Sequence, residues 1–412
     1  MKPFDPIESL ADVRHEFGEH GGVNMSIETS TTFTVLDAET LPAVFQGRMG
    51  PEQEGCYLYG RHFNPTVYVL GRQIAALEGA EAGYCTASGM SAISSVVLQL
   101  CQSGDELLSS HTVYGGTFAL FDEFLPAKCG IRVNFVDTSD LAAVEAAFTP
   151  RTKILYVETQ SNPTLRVAEV PRLARLAHER GVQLVVDNTF CPLIVSPLKL
   201  GADVVVHSLT KFINGASDAI AGAICGSAEL VRGLMDLHQG PLMLLGPTMD
   251  PRVAYDISMR LPHLGLRMEE HSRRALHFAR RLRDRGLPVI YPGLEDHPDH
   301  ELLESISNAR YGHGGLLCVD LGSAEQANRF MELLQNEDRF GFMAVSLGFF
   351  DTLMTAPFSS TSSEMDPEDL AVAGIRPGLV RLSIGYTGSL EQRWAQMEGV
   401  LRQMEPVATA GS

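Results

Sequence analysis

The sequence is short of several features that would have narrowed its function at once. Cysteines are few and dispersed: Cys56, Cys85, Cys101, Cys129, Cys191, Cys225 and Cys318. No two stand at C-x-x-C spacing, so a zinc ribbon or a thioredoxin-type redox motif has no support. An odd, scattered set predicts reduced thiols in a cytoplasmic protein. Basic residues are outnumbered, 32 Lys+Arg against 50 Asp+Glu, for a net charge of −18. Phosphate backbones and anionic membranes need a basic face, so neither nucleic acid nor membrane is expected as a partner. No apolar run is long enough to span a bilayer. The N-terminal MKPFDPIESLADVRHEFGEH lacks the apolar centre of a signal peptide. Repeats and low-complexity blocks are missing as well.

What is present is an alternation of helical and β-rich segments. The first sixty residues are weakly periodic and read as an extended arm, 1–63. From Asn64 the helix-like VYVLGRQIAALEGA is followed by the strand candidate GYCTA and a helix from Ser88 onward. Then come DELLSS, IRVNFVD, KILYVET, VQLVVDN, DVVVHSL and AIAGAICG. These runs are apolar on both faces, the pattern of strands buried between helices. They predict an α/β domain over 64–255 with a mostly parallel sheet. The stretch ISMRLPHLGLRMEEHSRRALHFARRLRDRG predicts one or two amphipathic helices. GGLLCVDL, AVSLG and LVRLSIG then read as strands of a smaller domain, 256–412, closed by the helix EQRWAQMEGVLRQM.

The most informative stretch is VVDNTF…DVVVHSLTKFINGASD. Asp187 ends a very apolar strand, where an unpaired carboxylate is costly. Ser208, Thr210 and Lys211 follow the next one. A lysine so placed can form a Schiff base once its pKa is lowered. Pyridoxal 5′-phosphate (PLP) enzymes need this pair, a lysine for the cofactor aldehyde and an acid for its ring nitrogen. Ser208 and Thr210 offer hydroxyls to the phosphate. The competing reading is a surface lysine and an N-capping aspartate.

Four further segments bear on the choice. In CTASGMSAI, Ser88, Gly89 and Met90 open a helix whose free amides suit a phosphate. Standing alone, the segment reads as a simple Ser N-cap. In HTVYGGTF, Tyr114 can stack on a flat ring and pass a proton, or sit in an ordinary turn. In CYLYGRHFNPT, Tyr59 and Arg61 are phosphate-compatible donors, or part of a solvent-facing arm. In LVRLSIG, Arg381 stands inside an apolar strand and needs a carboxylate, from substrate or from an internal salt bridge.

Together these segments resemble the Cys/Met-metabolism family of PLP-dependent enzymes. The likeness runs from about residue 20 to 405 through YGRHFNPT, ASGMSA, YGGTF, VETQSNPT, VVDNTF, HSLTKFINGASD, HPDHE, AVSLG and LVRLSIG. It implies the type I, aspartate-aminotransferase-like α/β fold. It implies Lys211 as Schiff-base lysine and proton shuttle, and Asp187 as partner of the pyridine nitrogen. Gly89, Met90, Ser208 and Thr210 would hold the phosphate, joined by Tyr59 and Arg61 of a neighbouring subunit. Tyr114 would stack on the ring and protonate the leaving group. Glu158 and Asn162 would lie near the cofactor, and Arg381 with the Ser346 backbone would take the substrate carboxylate. The family usually forms tetramers of two catalytic dimers. HPDHE suggests a metal site from His297, Asp299 and His300, but in the family this run is a structural loop and no catalytic metal is used.

Within the family, members acting on cystathionine commonly carry Glu before the SLG run. Here that position is Val345, similar to methionine γ-lyases. The resemblance thus implies γ-elimination from a γ-substituted L-amino acid to give 2-oxobutanoate and ammonia. γ-Replacement by a synthase or sulfhydrylase stays open, as does an O-linked substrate such as canavanine. Gly116, Phe212, Ala216, the run APFSSTSSEM and a lengthened HQGPLMLLGPTMDPRVAYD depart from the usual pattern.

Overall fold

Six apolar runs and GYCTA pair into one seven-stranded sheet, as the computed structural model shows for residues 3–14, 18, 20–52, 57–360, 370 and 374–404. The strands are β1 (Ala82–Thr86), β2 (Glu106–Ser110), β3 (Arg132–Val136), β4 (Thr152–Glu158), β5 (Gln183–Asp187), β6 (Val204–Ser208) and β7 (Gly222–Gly226). Their order is β1-β7-β6-β5-β4-β2-β3, and β7 alone runs against the rest. β4, β5 and β6 sit mid-sheet and are buried on both faces, which is why their sequences do not alternate. β3 is an edge strand with exposed alternate residues, so its IRVNFVD run covers only one face.

The second sheet has five strands in the order β10-β11-β12-β9-β8. They are β8 (Val289–Ile290), β9 (Leu316–Asp320), β10 (Gly341–Met343), β11 (Thr352–Thr355) and β12 (Leu379–Ser383). Alternate residues of β9 serve two cores. Leu317 and Val319 pack with Phe278, Val380 and Trp394, whereas Leu316 and Cys318 join a cluster containing Phe212, Leu264 and Leu347. That second cluster reaches both sheets. The predicted amphipathic stretch is two helices, Pro251–Arg260 and Leu264–Asp284, joined by one 3-10 turn.

Two expectations change. The arm is not wholly extended, because Pro6–Val13 is helical. Asp5 caps it by accepting from the amides of Ile7 and Glu8, and Pro6 fits the first turn. Leu10 is then buried in the main core. AVSLG is not a strand either; β10 stops at Met343 and residues 344–348 run irregularly. Gly348 has φ +77, and a Cβ there would stand 2.8 Å from the Lys211 carbonyl carbon. The chain leaves the sheet so that its backbone can pass the lysine at contact distance.

Candidate active site

The C-terminal ends of parallel strands collect the chemistry, because that is where side chains leave the sheet into the crevice. Glu158 ends β4, Asp187 ends β5 and Ser208 ends β6, with Glu158 and Asp187 paired in register. Above them lies a cavity of 480 Å³. Its wall includes Ser88, Gly89 and Met90, then Tyr114 and Glu158, then Asn162 and Asp187. Ser208, Thr210 and Lys211 close one side, and Val345, Ser346 and Arg381 come from the second sheet's region. Tyr59 and Arg61 do not line this cavity of their own chain. Arg61 lies over the Tyr59 ring and donates to Met243 O at 2.6 Å. A larger cleft of 1370 Å³, bordered by residues 44–47, Arg232 and residues 235–238, contains none of this set.

Lys211 Nζ contacts Ser346 Oγ at 3.3 Å and has no carboxylate in ion-pair range among the described residues. Burial, and then the Arg381 cation, hold its amine below the ordinary lysine value. Asp187 accepts from the Thr189 amide at 2.9 Å and from the Tyr156 hydroxyl at 3.2 Å. Burial pushes its pKa up, and the Thr189 bonds oppose that. Beside it Glu158 is pushed well up by burial and by the Asp187 charge. Glu158 accepts from the amides of Tyr114 at 2.7 Å and Asn162 at 3.2 Å.

Arg381 is 2% exposed. The internal salt bridge considered for it is not formed among the described residues. Its guanidinium donates instead to Asn162 Oδ1 at 2.6 Å and Ser346 O at 3.3 Å, and its Nε has no partner. A buried cation with an unused donor in a cavity wall is arranged for an incoming anion.

The phosphate-type features hold together. Ser88 is indeed an N-cap, in a capping box with Ser91. The Gly89 and Met90 amides behind it have no acceptor among the described residues, which leaves the helix N-terminus open to an anion. Gly89 cannot be larger, since a Cβ would meet Ser208 Cβ at 2.8 Å. The Thr210 hydroxyl is already paired with the Ala221 backbone. PLP fits this set of residues: an amine with no carboxylate partner, a buried acid, an open helix N-terminus and an unfilled guanidinium.

Sequence reasoning missed Thr189, whose hydroxyl accepts from the Ser208 amide at 2.8 Å, and Tyr156. Tyr156 was findable. It stands two residues before Glu158, on the same face of β4. The HPDHE run splits up: Asp299 pairs with Arg166, and buried His297 accepts from the Asp299 amide. His300 meets Glu304 and His313 instead, with ligand atoms within 4.8 Å of one another. Of APFSSTSSEM, Ser360 lines the cavity and residues 361–365 lie outside the described set. At Gly116 a Cβ would stand 2.6 Å from Tyr114 Cε1, so the ring uses space that a side chain would fill.

Comparison with known proteins agrees with this geometry. Residues 10–389 match the family described as Cys/Met metabolism PLP-dependent enzyme. A methionine γ-lyase of Arabidopsis thaliana is 58% identical over 97% of this chain and 91% of its own. An O-succinylhomoserine sulfhydrylase of Pseudomonas aeruginosa is 39% identical over 89% of this chain and 87% of its own. Among solved structures, a cystathionine γ-synthase of Xanthomonas oryzae pv. oryzae superposes with a TM-score of 0.86 at 32% identity, covering 98% of this chain and 99% of that one. A Campylobacter jejuni protein with a pyridoxyl-lysine phosphate gives 0.89 at 26% identity, covering 97% and 100%. The fold is therefore the type I fold expected from the sequence and the cofactor is PLP. The chain belongs to the Cys/Met-metabolism family of PLP-dependent enzymes.

Proposed function

We propose that this enzyme is a γ-lyase that eliminates an uncharged γ-substituent of the methylthio kind from an L-amino acid, leaving a 2-oxo acid and ammonia. The carrying observation is the cavity wall beyond Tyr114, made by Gly116, Ile220, Val345 and Ser360, with no charge among them. Ile220 is 71% exposed and Val345 68%. The carboxylates on the described lining are engaged, Glu158 with two amides and Asp187 with Thr189 and Tyr156. None is left for the distal ammonium of cystathionine or the guanidinooxy group of canavanine. Similarity to a methionine γ-lyase at 58% identity supports the same reading.

PLP, when bound, supplies an electron-withdrawing ring that stabilises the charge left by a departing Cα or Cβ proton. Asp187 keeps the ring nitrogen protonated. Ser88, Gly89, Met90, Ser208 and Thr210 would hold the phosphate. Arg381, oriented by Asn162, binds the substrate carboxylate; the Ser346 carbonyl already serves Arg381, so only the Ser346 amide is left to help. Lys211, whose amine burial and the Arg381 cation hold below the ordinary lysine value, takes the Cα proton. Tyr114, anchored through its amide to Glu158, delivers a proton to the departing sulfur.

Proton NMR of products tests the specificity. Methionine, homocysteine, cystathionine, O-acetylhomoserine, O-succinylhomoserine and canavanine are compared, each with and without a thiol. Methionine should release 2-oxobutanoate at least about 10-fold faster than cystathionine, the usual scale of a missing charge partner. Faster turnover of cystathionine or canavanine would sink the reading. A thioether formed from an O-acyl substrate and thiol would favour γ-replacement, the activity in the name of the sulfhydrylase relative.

Tyr59 and Arg61 are proposed to complete the phosphate site of a neighbouring copy within a homotetramer. They are exposed beside the apolar Leu244 and Leu245, which are also exposed. Light scattering on the eluting protein should give four chains per particle; a monomer that retains full activity would rule the assignment out. The six described cysteines are free thiols, which suits a cytoplasmic location.

A further inference from the structure

The turn carrying Lys211 is gripped by an arginine that no catalytic step uses. Arg267, on the helix Leu264–Asp284, is 6% exposed. Its Nη1 donates to Phe212 O, and its Nη2 donates to Ile213 O at 2.8 Å and Arg260 O at 3.4 Å. Its Nε donates to His263 Nδ1 at 3.0 Å. No carboxylate lies in ion-pair range among the described residues. Burial pushes the guanidinium down to about 10.

Burying an arginine with no counter-charge is costly. What this one gains is a fork on two successive carbonyls, a geometry that lysine cannot copy. Those carbonyls belong to the two residues directly after Lys211. The next residue is tied down as well: Arg260 donates to Asn214 Oδ1 and pairs with Asp218 at 2.7 Å. On the other side, the Gly348 backbone packs against Lys211 and Phe212. The lysine backbone is thus clamped between two segments that lie after residue 250.

We infer that Arg267 is a positioning residue for Lys211, fixing the arc over which its amine reaches the cofactor and the Cα proton. The inference rests on Lys211 being the base. Misplacing a reacting group by about 1 Å costs on the order of 10²-fold, whereas an arginine that only joined two packed layers would affect melting alone.

The test uses PLP-loaded wild type, Arg267→Met, Arg267→Lys and His263→Ala. Exchange of the Cα proton of L-alanine in D2O is followed by NMR, with the visible cofactor band and the melting temperature read alongside. L-Alanine has no γ-substituent, so exchange reports Lys211 without any elimination. Arg267→Met should slow exchange about 10- to 100-fold and shift the pH midpoint of the visible band while keeping the cofactor bound. Arg267→Lys should recover only part, and His263→Ala should cost about 3-fold or less, since it removes one neutral acceptor. Exchange within two-fold of wild type in Arg267→Met overturns the inference, even if melting drops. If that variant does not fold, Arg267→Lys decides by the same two-fold criterion. Wild type that exchanges the Cα proton but releases no γ-substituent would sink the γ-lyase reading and leave this inference standing.

Discussion

Replacing Lys211 by alanine should lower 2-oxo acid release by at least about 10³-fold and abolish the visible cofactor band. Acid–base catalysis by a placed side chain contributes about 10²–10⁴-fold, and this lysine also anchors the cofactor. Its amine is partly buried, and its described polar contact is Ser346 Oγ. Removing it leaves no buried carboxylate unpaired, so the fold should survive. Circular dichroism and melting then serve as controls. Turnover above about a tenth of wild type would exclude Lys211 as the base.

Asp187→Asn should cost about 10²-fold in kcat, the scale of one charge-assisted bond of ~3 kcal/mol in a dry site. Asparagine keeps the shape, accepts from the Thr189 amide through its oxygen and meets the Tyr156 hydroxyl oxygen with an N–H donor, but cannot hold a proton on the ring nitrogen. The same substitution should not weaken the apoprotein. Burial raises the pKa of Asp187 above the carboxylate norm of 3.8. Such a group favours the fold below its ordinary pKa, and that contribution is lost as pH rises through the raised value. Asparagine has no carboxyl to titrate and so escapes that loss. Apo Asp187→Asn should melt at or above wild type at pH 8, with the advantage shrinking toward pH 4. An apoprotein that melts well below wild type at pH 8 would show that Asp187 is chiefly structural. The pairing of a functional loss with unchanged or improved stability is the usual mark of a strained site residue.

The mid-sheet strands were legible because burial on both faces demands continuous apolar runs, and each of the three ends in a polar residue of the cavity. Arg381 was legible for the converse reason, a charge inside an apolar strand. AVSLG misled because its composition suits a strand, while its conformation is set by close passage along Lys211, about 135 residues away in sequence. Pro6–Val13 was missed because one short helix shows too few turns to establish a period, although Asp5-Pro6 was a readable start signal.

The sequence by itself marked the candidate site residues, their order along strand ends and the α/β class, since local periodicity and the cost of buried charge act through neighbours in the chain. Only the tertiary structure decided that Arg381 answers to Asn162 and Ser346 and not to a carboxylate. The same holds for the meeting of Glu158 and Asp187 side by side, and for Arg267 holding the carbonyls that follow Lys211. Those contacts join segments far apart in sequence, and no local pattern encodes which distant backbone atoms will fill a buried donor's remaining bonds.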